Sequence, residues 1–209
     1  MASNSSASHY YHGKVLLAKQ QYAAARHSFR KAITLSCDYT YAYDPLLQCG
    51  FNHATQQEDL RFIYEQLMAQ VSYGDGLLAY QRIAGTLLAN DEILRFLEHA
   101  LEVRPDLWHA WVALTMAYRN AGLNEKALHT IEQAAARFPL LPRIFQELAE
   151  SHRLLNQPDK AEFYYRHTLG LSPGWTTPAN NLCDLLEQQG RYDEAIATQR
   201  AVIARNPLA

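Results

Sequence analysis

Half of the eight prolines in this 209-residue chain lie on one interval. The positions of Pro105, Pro139, Pro173 and Pro207 differ by 34 from each proline to the next. Proline ends helices rather than continuing them, and a fixed interval of this size is typical of chains built from tandem structural units. Six such intervals cover residues 6–209 without an insertion, so the spacing predicts six consecutive blocks.

Each block is predicted to form two helices. From residue 108 to 121 apolar side chains return at the spacing of one helical face. Gly122 follows, where a residue without Cβ most easily ends a helix; Gly190 repeats the break two steps later, with Asn156 between them. A second amphipathic stretch runs over residues 124–138 and stops at a proline. Alanine and leucine keep the same step at Ala127, Ala161 and Ala195 and at Leu114, Leu148 and Leu182.

Residues 40–107 keep the block length but lose most of these marks. Asp59 and Ile93 stand where the other blocks have alanine at the turn, and Leu88 replaces the turn glycine. Two interpretations follow: two distorted blocks, or one looser four-helix segment.

Two helix starts can be assigned from local signals. Thr55, followed three residues later by Glu58, predicts a capping box that begins a helix. The first eight residues are small and polar, without the basic start or apolar stretch of a secretory signal. They predict a flexible leader, so that the first helix begins after Ser8.

The best block resembles the tetratricopeptide repeat, whose marks lie on both helices and on the closing proline. In this block the marks are Trp111, Leu114, Tyr118, Ala127, Ile131 and Pro139. The blocks that begin at residues 6, 142 and 176 carry similar sets. The resemblance implies an all-α fold over residues 9–209, a right-handed superhelical solenoid of antiparallel helix pairs. The repeats would span approximately 6–39, 40–73, 74–107, 108–141, 142–175 and 176–209.

The resemblance also implies that the first helix of each pair lines a concave groove for a protein or peptide. The predicted groove residues are Tyr10, Lys14, Tyr41, Arg82, His109, Met116, Arg119, Asn120, Arg143, Arg153, Asn180 and Asp184. Arg119 and Arg153 are one step apart and are expected to stack as a ladder. Because guanidinium groups bind carboxylates in a fixed fork, the arginines suggest an acidic or carboxylate-ended peptide. The alternative is that Glu147 and Glu150 neutralise them.

The thirteen tyrosines suggest a second kind of contact surface. Aromatic rings supply large contact areas that lose little entropy on binding. Those at the repeat marks are expected in the core. Tyr10, Tyr41 and Tyr43 are left as either core or binding residues.

Several classes of function are disfavoured by composition and pattern. A net charge of −2 argues against a nucleic-acid binder, and no apolar stretch is long enough for a membrane span. His9 and His12 are three residues apart but have no carboxylate or cysteine near them in sequence, which disfavours a metal site. No catalytic constellation or cofactor motif is found. We therefore predict a non-enzymatic protein without cofactors, in the cytoplasm or, had a signal been removed, the periplasm.

Three functional hypotheses follow. The first is a scaffold or adaptor that binds a partner protein or peptide in the groove. The second is the recruiting region of a larger enzyme, because the last block resembles repeats placed ahead of glycosyltransferase domains. The third is a self-associating module, such as a homodimer through the terminal helices. Apolar residues on the last helix suggest either a fragment of a longer protein or an end that packs on a partner.

Overall fold

A computed structural model describes residues 5–70 and 72–205, and in this part of the chain all regular structure is helical. The all-α prediction is confirmed. Twelve α-helices follow one another, with a short 3-10 helix at Thr40–Ala42 ahead of α3. They are α1 (Ser6–Ala18), α2 (Tyr22–Leu35), α3 (Tyr43–Gln48), α4 (His53–Ala69), α5 (Asp75–Ala84), α6 (Asn90–Val103), α7 (Trp108–Asn120), α8 (Asn124–Arg137), α9 (Pro142–Leu154), α10 (Pro158–Leu171), α11 (Thr176–Gln188) and α12 (Tyr192–Arg205).

The even-numbered helices end in step. Their last residues keep the interval of the prolines: Leu35, Ala69, Val103, Arg137, Leu171 and Arg205. Arg104, Phe138 and Ser172 each follow a helix end, precede a proline and have non-helical backbone angles. This agrees with the restriction that proline places on the residue before it. We interpret the spacing as six repeats. The stop predicted at Pro207 lies outside the described residues.

Four blocks join their two helices by the same left-handed turn. Gly122 and Gly190 have φ of 75°, and Asn156 has φ of 55°. Gln20, at the corresponding position of the first block, has φ of 59°. At each turn, this residue and the next donate backbone hydrogen bonds to carbonyls of the preceding helix. These bonds satisfy acceptors left open at a helix end, which explains why the turn recurs.

The two middle blocks are built differently. Their first helices are short, with six residues in α3 and ten in α5, against thirteen in α1, α7, α9 and α11. The described positive-φ residues include neither Ala54 nor Leu88, which correspond to Gln20. Both blocks nevertheless form two helices, which supports the interpretation as distorted repeats.

Two predicted helix starts are wrong. Asn52, not Thr55, caps α4, because its Oδ1 accepts hydrogen bonds from the Thr55 backbone N–H and hydroxyl, both at 2.9 Å. The first helix starts at Ser6 because the Ser5 hydroxyl oxygen accepts from the Ser8 backbone N–H at 3.2 Å. Residues 6–8 are therefore helical rather than part of a leader, and residues 1–4 lie outside the described part.

Asp59, at the position of the turn alanine, is a fully buried carboxylate. Arg26 of α2 donates from Nε to both of its oxygens, at 3.0 and 2.9 Å, and Arg30 donates to Oδ1 at 2.7 Å. A buried charge is tolerated where it is paired and hydrogen-bonded in this way. The ion pairs connect α2 to α4 and occupy the place that a small side chain takes elsewhere.

The chain divides into two compact units, unit 1 (Met1–Ala117) and unit 2 (Tyr118–Ala209). In unit 2, Ala149 of α9 and Ala161 of α10 are fully buried in a core cluster with Tyr165 and residues of α11 and α12. Small side chains at this place allow the helices to approach closely. None of the described helices combines the length and the apolar character needed to span a bilayer.

Candidate functional site

Unit 1 carries a cluster of tyrosine rings that we call the tyrosine patch: Tyr10, Tyr11, Tyr39 and Tyr41. Helix α1 supplies the first two, and the segment around the 3-10 helix supplies the others. The centroid of the Tyr10 ring lies 5.2 Å from that of Tyr11, 5.6 Å from that of Tyr39 and 6.5 Å from that of Tyr41. The Tyr41 side chain is 73% exposed, and Tyr11 is also exposed. The patch is an organised aromatic surface open to solvent.

The patch rests on the core of the first block. The Tyr10 ring packs on Phe29 with centroids 6.1 Å apart, and Phe29 is fully buried. A Cβ at Gly13 would lie 2.7 Å from the Phe29 ring, so only glycine lets α1 come this close. Tyr43 is fully buried, and its hydroxyl donates to the Cys37 carbonyl at 2.5 Å. Tyr43 is therefore a core residue, while Tyr41 is exposed.

Charge near the patch is sparse, and the acid next to it, Asp38, accepts from the Tyr73 and Gly76 backbone N–H groups. Burial, reinforced by the neighbouring tyrosines, raises the pKa of Tyr39, so the phenol stays neutral. Lys14, one helical turn after Tyr10, is exposed. Residues 1–37 contain no aspartate or glutamate. The patch therefore offers neutral rings and hydroxyl groups, with the exposed cation Lys14 beside them.

The other groove residues predicted in unit 1 are less available. Arg82 forms an exposed ion pair with Asp44 at 2.7 Å. His109 is buried, stacks on Trp108, and has Nε2 3.4 Å from Asp75. A Cβ at Gly74 would lie 2.4 Å from the His109 ring, which shows how closely the backbone covers it. His109 is thus not on an open surface, contrary to prediction. Met116 is half-buried.

In unit 2, two of the predicted arginines share one carboxylate. The Glu147 side chain is only 7% exposed and forms ion pairs with Arg119 and with Arg143, the latter at 2.8 Å. Arg119 also donates to the Glu147 backbone carbonyl at 3.3 Å. One acid between two bases leaves these guanidinium groups occupied within the chain.

Arg153 is occupied in a second cluster. It donates from Nε to Glu150 at 3.0 Å, and the Tyr165 hydroxyl donates to the same carboxylate oxygen at 2.7 Å. Burial acts to raise the pKa of Glu150, but the bonds from Arg153 and Tyr165 outweigh it and hold that pKa below its usual value. Arg119 and Arg153 thus pair with different acids, and this supports the alternative in which Glu147 and Glu150 neutralise the arginines.

The remaining groove residues lie on open parts of unit 2. A cleft of about 180 Å³ between α9 and α11 contains two acids and one base, so its balance does not favour an anion. It is lined by Glu150, Arg153, Asn181, Asp184, Leu185 and Gln188. Asn120 is exposed at the end of α7. Asn180 accepts a hydrogen bond from Gln199 at 2.8 Å.

The outer side of the last helix pair forms a surface that we call the α12 face: Tyr192, Ile196, Gln199, Arg200 and Ile203 of α12 with Asn180, Asp184 and Glu187 of α11. A cavity of about 650 Å³ lies along it. Ile196, Ile203 and Tyr192 are exposed, whereas Ala195 and Val202 are buried. The apolar residues that suggested an exposed end thus divide between the surface, with Ile196 and Ile203, and the core, with Ala195 and Val202.

Reactive chemistry is poorly supported in the described part of the chain. All three cysteines are buried and unpaired. Burial raises the pKa of both Cys37 and Cys49 to about 11, which disfavours the nucleophilic thiolate. Among the described residues, no group of three histidine, cysteine or acidic side chains is placed to hold a metal ion.

Residues 179–207 match the family model described as tetratricopeptide repeat. Among solved structures, the chain resembles PilW, titled a widely conserved type IV pilus biogenesis factor, with 17% identity over 98% of this chain and 94% of PilW, and a TM-score of 0.60. It also resembles TTC0263, a thermophilic tetratricopeptide protein in Thermus thermophilus, with 19% identity over 87% of this chain and 99% of that one, and a TM-score of 0.53. MamA gives 13% identity, 97% and 92% coverage, and a TM-score of 0.53. No curated protein sequence matches significantly.

Proposed function

We propose that this chain is a tetratricopeptide-repeat scaffold that binds a protein or peptide partner. Its last block matches the family model, and nearly its whole length resembles PilW in fold. Stacked helix pairs present extended surfaces suited to such binding. Because one fold serves many functions, the proposal depends on a particular surface rather than on the fold.

The tyrosine patch is the observation that carries the proposal. Its rings contact one another at centroid distances of 5.2–6.5 Å, and Tyr41 remains largely in solvent. A cluster of exposed, mutually ordered aromatic rings is typical of a protein-binding surface, since the side chains lose little further entropy when a partner covers them. The hydroxyl groups can bond to the backbone of an extended peptide.

The arginines predicted to bind an acidic peptide carry less of the argument. Arg82, Arg119, Arg143 and Arg153 each pair with a carboxylate of the chain itself. A ligand carboxylate would have to displace those acids. We therefore place the main contact on the tyrosine patch, with Lys14 as the charged residue at its rim.

The test is selection of peptides from a random display library on the immobilised full chain, followed by titration of the selected peptides. We expect the double variant Tyr10→Ala/Tyr41→Ala to bind them at least about tenfold more weakly, since aromatic hot spots typically contribute more than about 1 kcal/mol each. Tyr73→Ala is the matched control, because Tyr73 is 86% exposed and lies outside the patch.

Circular dichroism of both variants checks that helix content is kept. Equal affinity of wild type and double variant, with both folded, would place the peptide site elsewhere and contradict the proposal. The recruiting region of a larger enzyme stays a prediction that the described residues do not test.

A further inference from the structure

Unit 2 shows how one block receives the next. Tyr165 of α10 is fully buried in a cluster with Leu182, Leu185 and Leu186 of α11, and Leu169 packs against that cluster. The second helix of a block thus provides an apolar seat, and the first helix of the next block lies on it. Because the repeat step is constant, adding or subtracting multiples of 34 identifies the corresponding residues in any other block.

The α12 face is the same kind of seat without a helix on it. One step after Leu169 the chain has Ile203, which is 59% exposed, and one step after Tyr165 it has Gln199. Ile196 is exposed one turn before Gln199. Ile203 therefore lies in solvent at a position where the preceding block uses Leu169 for packing, and Ile196 adds a second exposed apolar side chain, where that block has Glu162.

On helix α1, the residues that correspond to the packing residues of α11 are exposed. Counting back by five repeats from Leu185 gives Val15, which is 53% exposed, and from Leu182 gives His12, also exposed. These are the positions by which α11 packs on its seat. The face of α1 that would lie on a preceding block is bare.

Each of the two exposed surfaces has a polar residue where the other blocks have a buried apolar or aromatic one: Gln199 on the α12 face and His12 on α1. The residues that correspond to Gln199 in the other blocks are apolar or aromatic and buried: Phe29, Ile63, Leu97, Ile131 and Tyr165. Those that correspond to His12 are also buried: Leu46, Tyr80, Leu114, Leu148 and Leu182. Gln199 and His12 would face each other if α1 lay on the α12 face, so each polar residue would meet a polar partner.

Both polar side chains already have hydrogen-bond partners within the chain. His12 Nδ1 lies 3.1 Å from the Ser28 hydroxyl oxygen, and the Gln199 amide donates to Asn180 at 2.8 Å and also bonds to Cys183. Each side chain is therefore held in position on its own surface.

The charges agree with the same pairing. Lys14 and Lys19 are exposed on and just after α1, in the stretch before Asp38 that contains no acid. The cavity on the α12 face is lined by Asp184 and Glu187 with a single base, Arg200. Opposite charges on the two surfaces favour their encounter and fix its orientation.

We propose that a second copy of this chain seats its α1 on the α12 face of the first. The contact is head-to-tail and heterologous, so each added copy presents a new α12 face and assembly continues until it closes into a ring or forms a filament. A contact of one helix on one helix pair is small, which makes the assembly reversible and dependent on concentration. This proposal does not rest on ligand binding at the tyrosine patch.

The test is sedimentation velocity of the full chain over a wide concentration range, with the variants Val15→Glu and Ile203→Glu. We expect the wild-type mass to rise with concentration past that of a dimer, and each variant alone to stay monomeric. An equimolar mixture of the two variants should form a 1:1 heterodimer that grows no further, because one variant keeps α1 intact and the other keeps the α12 face. Val103→Glu, at a 49% exposed valine at the end of α6, is the control and should assemble like wild type.

Circular dichroism of each variant confirms that the substitution leaves the helices folded. A wild-type chain that is monomeric at every concentration overturns the proposal. The proposal is also overturned if Ile203→Glu abolishes assembly while Val15→Glu leaves it unchanged. That result would indicate a symmetric contact between two α12 faces. Loss of assembly in Val103→Glu would also overturn it, because any added charge would then disrupt a nonspecific association.

Discussion

The middle blocks, residues 40–107, and the blocks from residue 108 onward keep the same step by different means. The later blocks stop their second helices at Pro139 and Pro173 and turn at left-handed residues. The first block has Cys37 where a block would close with proline, and a polar side chain of the middle region, Gln70, bonds to the end of its second helix instead. The length of a repeat can therefore survive the loss of the residues that normally define it.

Gln70 shows how this substitution works. Its Oε1 accepts from the Cys37 backbone N–H at 2.9 Å, and its Nε2 donates to the Ile33 and Thr34 carbonyls, both at 3.2 Å. These bonds satisfy backbone groups at the end of α2. Asp38 similarly accepts from the Tyr73 and Gly76 backbone N–H groups at the start of α5.

The largest expected difference between the two regions lies at Asp59. Asp59→Ala restores the alanine of the regular blocks but leaves Arg26 and Arg30 without the buried partner they share. We expect it to lower the free energy of unfolding by about 3 kcal/mol, the cost of removing one member of a buried ion pair. Urea unfolding followed by circular dichroism measures the loss, and hydrogen exchange should place it in α2 and α4.

Glu58→Ala is the matched control, since Glu58 pairs with the same arginines but is largely exposed. It should cost less than about 1 kcal/mol. If Asp59→Ala were as mild as the control, the alanine would be interchangeable with the ion pairs, and the two regions would not differ in their means of packing.

Gln70→Ala tests the polar replacement for the proline stop. It removes three backbone contacts at the end of α2, and we expect a loss of about 2 kcal/mol in the free energy of unfolding. Gln66→Ala, one turn earlier in α4, is the control and should have a smaller effect, because the Gln66 side chain bonds to the Gln70 amide at 3.0 Å rather than to the backbone of α2. Equal losses in urea unfolding would show that Gln70 has no special role.

The left-handed turn of the first block offers a test in which a substitution stabilises the fold. Gln20→Gly should stabilise unit 1 by about 0.5–1 kcal/mol, because glycine adopts φ of 59° without the steric cost that Gln20 bears. Gln21→Gly is the control; with φ of −87° it gains nothing from glycine and should destabilise slightly. The thermal midpoints of the two variants should shift in opposite directions.

The smallest effect concerns pH and Glu150. Because its pKa is below the usual value of 4.5 in the folded chain, ionised Glu150 stabilises the fold above that value. The contribution is lost as pH falls through the folded pKa, and we expect it to be below about 1 kcal/mol after solvent screening. Glu150→Gln should flatten the pH dependence of unfolding between neutral and acidic pH, whereas Asp159→Asn, on an exposed residue, should not.

The sequence predicts what depends on spacing along one helix or one turn. The helix pairs, the stops at Pro139 and Pro173 and the turns at Gly122 and Gly190 all follow from local propensity. The positive φ of Gln20 could not be predicted from the residue itself, because glutamine, unlike glycine or asparagine, is not typical of left-handed positions. Its place, three repeats before Gly122, would have revealed it.

The pairing of charges depends on geometry between helices, which spacing within a helix does not give. The sequence left two alternatives open for Arg119, a ligand or neutralisation by Glu147 and Glu150, and only the packing of α9 shows that Arg119 pairs with Glu147. Asp59 was visible as an acid at an alanine position. A buried carboxylate needs a paired cation, and the preceding block is the nearest source of one. This argument would have identified Arg26 and Arg30.

The helix ends that recur once per repeat also bear on how such a chain is inherited. Where turn and stop are the same from block to block, a duplication or deletion of one whole block leaves every remaining junction of the same kind. The middle blocks do not have this freedom, because Asp59 and Gln70 are matched to side chains and carbonyls of α2 in particular. Because Asp38 also accepts from the Gly76 backbone N–H of α5, residues 6–107 are expected to be gained or lost in descent as one piece.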